Sequence, residues 1–363
     1  MKERRNMKRN SLTWFFFVIP LFVFYIYLIT LCPQIFWRDA PEFVATVQTL
    51  SISHPAGSPT YNLFAKAFTF LPIANVPFRV HMASALCGAA VLFVMLLIMK
   101  EIFEILYKRP PALLDLVGMS FCAFLFGISF SFWKFSITAE VYPLQDFFIL
   151  IVLYLGIRFY RSGDIRLFFS GALLFGLGLG AHMVNGLFFF PFLILYLSRK
   201  NSWKHIGVIV FFFLLGFSVY LYLPFRFERA QLVLGYNTNN LEQTISHMAA
   251  RNVMEVVKEG IINNSMRMEL FYIKISEFFK NIIEQLSFLG FVLGVFGFFV
   301  LLVRRFFISF ITTTMFVLYW WFFINWTNPF GFFPNYIIWM IWSAIGISEI
   351  ITIRERMICQ KTS

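Results

Sequence analysis

The stretch that decides the fold is "SLTWFFFVIPLFVFYIYLITL", residues 11–31, followed closely by "FWRDAPEFV", residues 36–44. The first carries no charge over 21 residues. As a helix rising about 1.5 Å per residue it reaches roughly 30 Å, the thickness of a bilayer's hydrocarbon core. The second places two acids, Asp39 and Glu42, three residues apart at the exit of that helix. Their position at a membrane surface is the functional question the sequence poses.

The rest of the 363 residues repeats the first pattern. The chain is 60% hydrophobic and 13% charged, whereas soluble domains are about a quarter charged. Apolar runs fall at about 12–33, 82–99, 112–131, 143–159, 167–181, 184–198, 205–224, 284–303, 306–325 and 336–353. They are continuous rather than alternating, which argues against a membrane β-barrel. The expected fold is an all-α polytopic membrane protein with about ten transmembrane helices. The N-terminal run is too long for a cleaved signal peptide and reads as an uncleaved first helix. The whole chain reads as one membrane domain, with no convincing internal repeat.

The net charge of +12 does not point to nucleic acid. Lys and Arg sit in short clusters at 2–9, 100–109, 158–166, 199–204, 304–305 and 354–361. Such clusters between spans are orientation signals, and cytoplasmic clusters make both termini cytoplasmic. The acids then face the exterior, in a bacterial inner membrane by default. Residues 167–198 must cross and return within 32 residues, about 22 Å per leg. The turn "GLGLGAHMVNG" is therefore expected below the outer surface, lining a protein cavity. The outer side also receives a long loop, 225–283, with amphipathic helices expected near 241–259 and 268–281, and a short aromatic loop, "NWTNPFGFFPNY". The last three spans occupy 284–353. The four cysteines form no CxxC pair or Cys/His cluster, so neither a disulfide frame nor a metal site is expected.

Each candidate residue has a plain reading beside a chemical one. Asp39 and Glu42 fit a capping box with Pro41 in the first turn, starting an interfacial helix over about 40–50; a carboxylate fixed there also suits a general base. His54, in the bend "SHPAGSP", is a hydrogen-bonded turn residue or a site residue. Glu140 and Tyr142, in "TAEVYPL", cap a helix or face an interior cavity, because acids at helix ends are costly against lipid. His182 ties the short hairpin to a neighbour or serves the site. Arg226, in "YLPFRFERA", anchors a helix at headgroups or grips a phosphate through paired N–H groups. Arg229, Lys134, Arg79 and His81 are weaker candidates.

The run "RDAPEFVATVQTLSISHPAGSPTYNLFAKAFTFLPIANVPFRVHMASALCGAA", residues 38–90, with the later "TAEVYPL", "GLGLGAH" and "YLPFR", resembles domain-of-unknown-function family 2723. Members of that family look like protein O-mannosyltransferases of the C-type glycosyltransferase superfamily. The likeness covers about 30–230. Ala40 and Pro41 stand where the family has Ser and Gly, Ala56 replaces Pro, Ser58 replaces Tyr, and His81 replaces Asn. The resemblance implies C-type glycosyltransferase architecture for residues 12–230 and a polyprenyl-phosphate-linked sugar donor. It also implies transfer to a hydroxyl acceptor on the non-cytoplasmic side and a first-loop acid as base, with Asp39 matching best and Glu42 as alternative. Inverting transfer follows as the expected mechanism, with no cofactor beyond the lipid-linked donor. A lipid or sugar transporter and a non-catalytic scaffold are the competing functions.

Overall fold

The computed structural model describes residues 14–35, 38–235, 240–266, 268–326 and 332–362, and every element named among them is helical apart from one isolated β-bridge. In chain order the helices are α1 (Phe15–Ile29), α2 (Ala40–Thr49), α3 (Pro59–Phe68), α4 (Val76–Tyr107), α5 (Leu113–Gly127), α6 (Phe130–Ser136), α7 (Tyr142–Ser162) and α8 (Ile165–Leu179). A 3₁₀ turn (Met183–Phe188) leads into α9 (Phe189–Leu197), then α10 (Lys204–Phe217) and α11 (Tyr222–Phe227). The series closes with α12 (Leu241–Met248), α13 (Arg251–Met266), α14 (Met268–Arg304), α15 (Phe306–Trp326) and α16 (Phe333–Thr362).

All ten apolar runs of the sequence are occupied by helix. Among the described residues, six helices are long and apolar enough to cross a membrane, and a seventh crossing is possible if α5 and α6, bent by 68°, count together. Three further apolar helices, in α1, α8 and the 183–197 segment, are shorter. The sequence reading counted ten runs as ten spans; length alone supports six or seven. At 15 residues, α8 reaches only about 22 Å, as the hairpin argument required.

Local chemistry explains where the long helices begin and end. Asn75 caps α4 by accepting from the Phe78 N–H at 2.9 Å, with Pro77 in the first turn. Lys108 ends it in a left-handed conformation, φ +57°. Pro143 sits in the first turn of α7, and Gly163, φ +75°, ends it; glycine is suited to that left-handed cap. The outer-loop helices depart from expectation. The first breaks at Ala249–Ala250, with Ala250 at φ +44°, giving α12 and α13. The second continues into the next span as α14, which kinks at Ser287. The N-terminal basic cluster and residues 327–331 of the aromatic loop lie outside the described residues.

Five of the six basic clusters gather at one end of the bundle. Arg161 bonds Glu101 at 2.9 Å and Glu104 at 2.6 Å, Arg305 Nε reaches the Ile105 carbonyl at 3.1 Å, and Arg109 pairs with Glu355 at 3.7 Å. Arg199 donates to the carbonyls of Tyr160 and Arg161. The acids Asp39, Glu42 and Glu140 lie toward the opposite end, near the start of α4 and α7.

The short hairpin is held by close backbone approach. A Cβ on Gly176 of α8 would stand 2.3 Å from the Phe213 carbonyl, and one on Gly216 of α10 would stand 2.1 Å from the Leu173 carbonyl. Small residues permit this contact where hydrophobic driving force between helices is weak. Gly176→Leu is expected to separate α8 from α10 at a cost of about 1–3 kcal/mol, the usual range for overpacking. Thermal unfolding of the detergent-solubilised protein should show a lowered midpoint; an unchanged midpoint contradicts the contact.

Candidate functional site

Helix α2 carries the two acids, and they do different things. Asp39 is the residue before the helix, but its backbone is helical (φ −82°, ψ −10°) and its side chain makes no capping bond. An N-cap needs an extended backbone to turn its side chain back onto the first turn, so the expected capping box does not form. Left-handed Arg38, φ +65°, delivers the chain into the helix instead. The Asp39 carboxylate is half-buried and accepts no hydrogen bond among the described residues. Glu42 is engaged: its Oε1 accepts from the His54 backbone N–H at 2.6 Å and lies 2.8 Å from His54 Nδ1. The His54 ring rests 5.7 Å from Phe43, which meets Tyr61 at 5.1 Å.

The bend beneath these acids is held by residues 222–247. Five successive carbonyls, of residues 49 to 53, each receive a donor from residues 222–247. Arg226 gives Nη2 to Thr49 at 3.1 Å and Nε to Leu50 at 2.8 Å. The Tyr222 hydroxyl donates to Ser51 at 2.9 Å, and the Leu234 N–H to Ile52 at 3.1 Å. His247 Nε2 meets the Ser53 carbonyl at 2.9 Å and is fully buried. Gly57, φ +83°, completes the bend, where a Cβ would stand 2.8 Å from Leu223 and 3.3 Å from the His247 ring.

Glu140 is fixed from a third direction. Ser84 on α4 donates its hydroxyl to the Glu140 carbonyl at 3.0 Å and accepts from the Glu140 N–H at 3.1 Å. The Tyr61 hydroxyl lies 2.9 Å from the same Ser84 oxygen. The Glu140 side chain is 3% exposed and its Oε2 has no hydrogen-bond partner. Burial, then the negative charges of Asp39 and Glu42, hold its pKa well above the ordinary carboxylate range, against the charges of Arg38 and Lys134. Glu140 is thus a buried acid whose protonated form is favoured, close enough to feel the charge of Asp39, which accepts no hydrogen bond among the described residues.

His182 Nδ1 accepts from the Val184 N–H at 3.3 Å, and its ring lies 5.7 Å from Tyr142. The turn preceding it is covered by α3, where the Thr60 N–H donates to the Gly180 carbonyl at 2.9 Å. The charges of Asp39, Glu42 and His54 act on one another or on Glu140 and His182. Six of the seven expected residues therefore form one cluster, linked by these charges and by ring contact. Arg226 stands behind it, bonded to the end of α2. Of the weaker candidates, Lys134 acts on Glu140. Arg79 instead bonds the carbonyls of Thr69 and Leu71, and His81 that of Gln34. Arg38 and His247 were not singled out from sequence. Among the described residues no group of His, Cys, Asp and Glu could hold a metal ion.

Comparison with known proteins places the likeness on this cluster. Residues 39–206 match the family model described as the protein O-mannosyl-transferase TMEM260 N-terminal domain. That stretch begins at Asp39 and contains every cluster residue except Arg38, while Arg226 lies beyond it. The chain is 24% identical over 302 residues to the protein O-mannosyl-transferase tmem260 of Dictyostelium discoideum, covering 77% of this chain and 35% of that protein. It is 27% identical over 135 residues to the protein O-mannosyl-transferase TMEM260 of Mus musculus, covering 37% of this chain and 18% of that protein. The matched stretches thus span about a third or less of those relatives. They support an O-mannosyltransferase-like relationship.

The Glu42–His54 contact carries a pH signature. Burial disfavours the charged imidazole, but the hydrogen bond and charge of Glu42, with the charge of Asp39, outweigh it and raise His54 above 6.5. A raised folded-state pKa gives stability that is fully present below the unfolded value and lost as pH rises through the folded one. The melting midpoint of the wild type should therefore fall toward that of His54→Gln as pH is raised above 6.5. Parallel curves for the two proteins would contradict the pairing.

Proposed function

We propose that the protein is a membrane glycosyltransferase of O-mannosyltransferase type. In this reading it moves a sugar from a polyprenyl-phosphate-linked donor to a hydroxyl acceptor on the side opposite the basic clusters. The observation that carries it is the division of labour at the start of α2: Glu42 is bound to His54, while Asp39, three residues earlier, accepts no hydrogen bond among the described residues. A general base must be free to meet the proton it removes.

Asp39 accepts the proton of the acceptor hydroxyl as that oxygen attacks the anomeric carbon. The new carbon–oxygen bond forms as the bond to the phosphate oxygen breaks, and attack from the opposite face inverts the anomeric configuration. The transition state has oxocarbenium character, as in glycoside hydrolysis. Polyprenyl phosphate leaves as an anion and needs no proton. In this reading Arg38 and Lys134, the cations that act on Glu140, stabilise that charge. Glu140, with Tyr142 and His182, offers hydrogen bonds to sugar or acceptor hydroxyls. Arg226 serves by fixing the end of α2. The family likeness and the helical bundle favour this reading over a transporter, for which a repeat-related midplane site is the usual arrangement.

The test is transfer from a lipid-phosphate mannose to a hydroxyl-bearing peptide, followed by mass spectrometry. Asp39→Asn should lower kcat by about 10²–10⁴, the usual contribution of a general base, with protein level and melting midpoint unchanged. Glu42→Gln should cost less and should also alter the pH profile through His54. Full activity in Asp39→Asn would remove it from the role.

A further inference from the structure

At the end of the bundle where the basic clusters gather lies a cavity of about 810 Å³, on the far side from the acid cluster. It is within the size range of small-molecule sites. Its lining is apolar at Phe16, Phe17, Phe93, Leu97 and Leu116 and cationic at Lys100, Lys108, Arg109 and Arg161. Glu104 is the only acid lining it among the described residues. That carboxylate is already shared by Arg161 at 2.6 Å and Lys100 at 3.5 Å.

Two of the cations are left with unmet capacity. Arg109 gives Nη1 to Asp115 at 2.8 Å and lies over the Phe103 ring at 4.9 Å, which fixes its guanidinium plane. Its Nη2 is buried with no hydrogen bond among the described residues, and a Glu355 carboxylate oxygen lies 3.7 Å from it. A buried donor without an acceptor is costly. Lys108, held by its left-handed backbone just past the end of α4, is exposed and makes no hydrogen bond or ion pair among the described residues.

We infer that this cavity binds an anionic glycerophospholipid, its phosphate beside Lys108 and the Arg109 guanidinium and its acyl chains along Phe16, Phe93 and Leu97. The cationic part of the lining selects an anionic headgroup, and the apolar part suits the chains. Leu113 and Leu114, each 54% exposed, start α5 beside it and continue the apolar surface outward. Anionic lipids concentrate in the cytoplasmic leaflet, where basic clusters are expected to lie.

The test is native mass spectrometry of the full chain with phosphatidylglycerol, phosphatidylcholine or inorganic phosphate. Phosphatidylglycerol should bind about tenfold tighter than phosphatidylcholine, and Lys108→Glu should erase that preference while leaving the lipid-free melting midpoint unchanged. Leu97→Trp, which fills the apolar part of the lining, should weaken both lipids alike. Equal binding of the two lipids to the wild type, or an unaltered preference in Lys108→Glu, would overturn the assignment. So would full competition by inorganic phosphate alone, which would make this a free-phosphate site.

Discussion

The arrangement of the candidate site depends on donors arriving at five consecutive carbonyls. Residues 49–53 leave α2 in a turn whose carbonyls point away from any helix that could satisfy them. Unpaired, they would be expensive to bury. Arg226, Tyr222, Leu234 and His247 supply the missing donors from nearly two hundred residues later. That single seam joins the segment after α2 to residues 222–247. It sets the direction of α2 and the place of His54, and thereby captures Glu42. Asp39, one turn away, is beyond reach of the same donors.

The seam also separates two roles that the sequence could only list together. Two acids three residues apart on one helix start look equivalent. The fold makes one a structural acceptor and leaves the other half-open. Glu140 is a third setting of the same chemical group, buried, with its pKa raised first by that burial and then by the charges of Asp39 and Glu42.

Much of this was legible in the sequence, for identifiable reasons. Every apolar run became helix because continuous hydrophobic stretches have few alternatives in lipid. The short hairpin at 165–197 followed from counting residues between basic clusters, and five of those clusters meet at one end of the bundle. The helix after Asp39 was placed within a residue. The capping box failed because the motif specifies residue types and not backbone angles: Asp39 is helical, and Glu42 found a better donor in His54. Arg226 fitted a headgroup anchor or a phosphate grip from sequence. Its contact with Thr49 and Leu50 depends on tertiary folding across more than 170 residues, which no local pattern encodes. His247 was invisible for the same reason, on a helix marked only as amphipathic. The number of spans exceeded what helix length supports because a hydropathy run reports neither how short its helix is, as in α1, α8 and the 183–197 segment, nor whether it bends, as α5 and α6 do.

The central claim is that the seam with residues 222–247 holds α2 and its bend in place. Hydrogen–deuterium exchange on the wild type and Arg226→Ala measures this directly. Exchange should rise across residues 40–57 in the variant while α4 and α7 remain protected. Unchanged protection of residues 40–57 would contradict the claim.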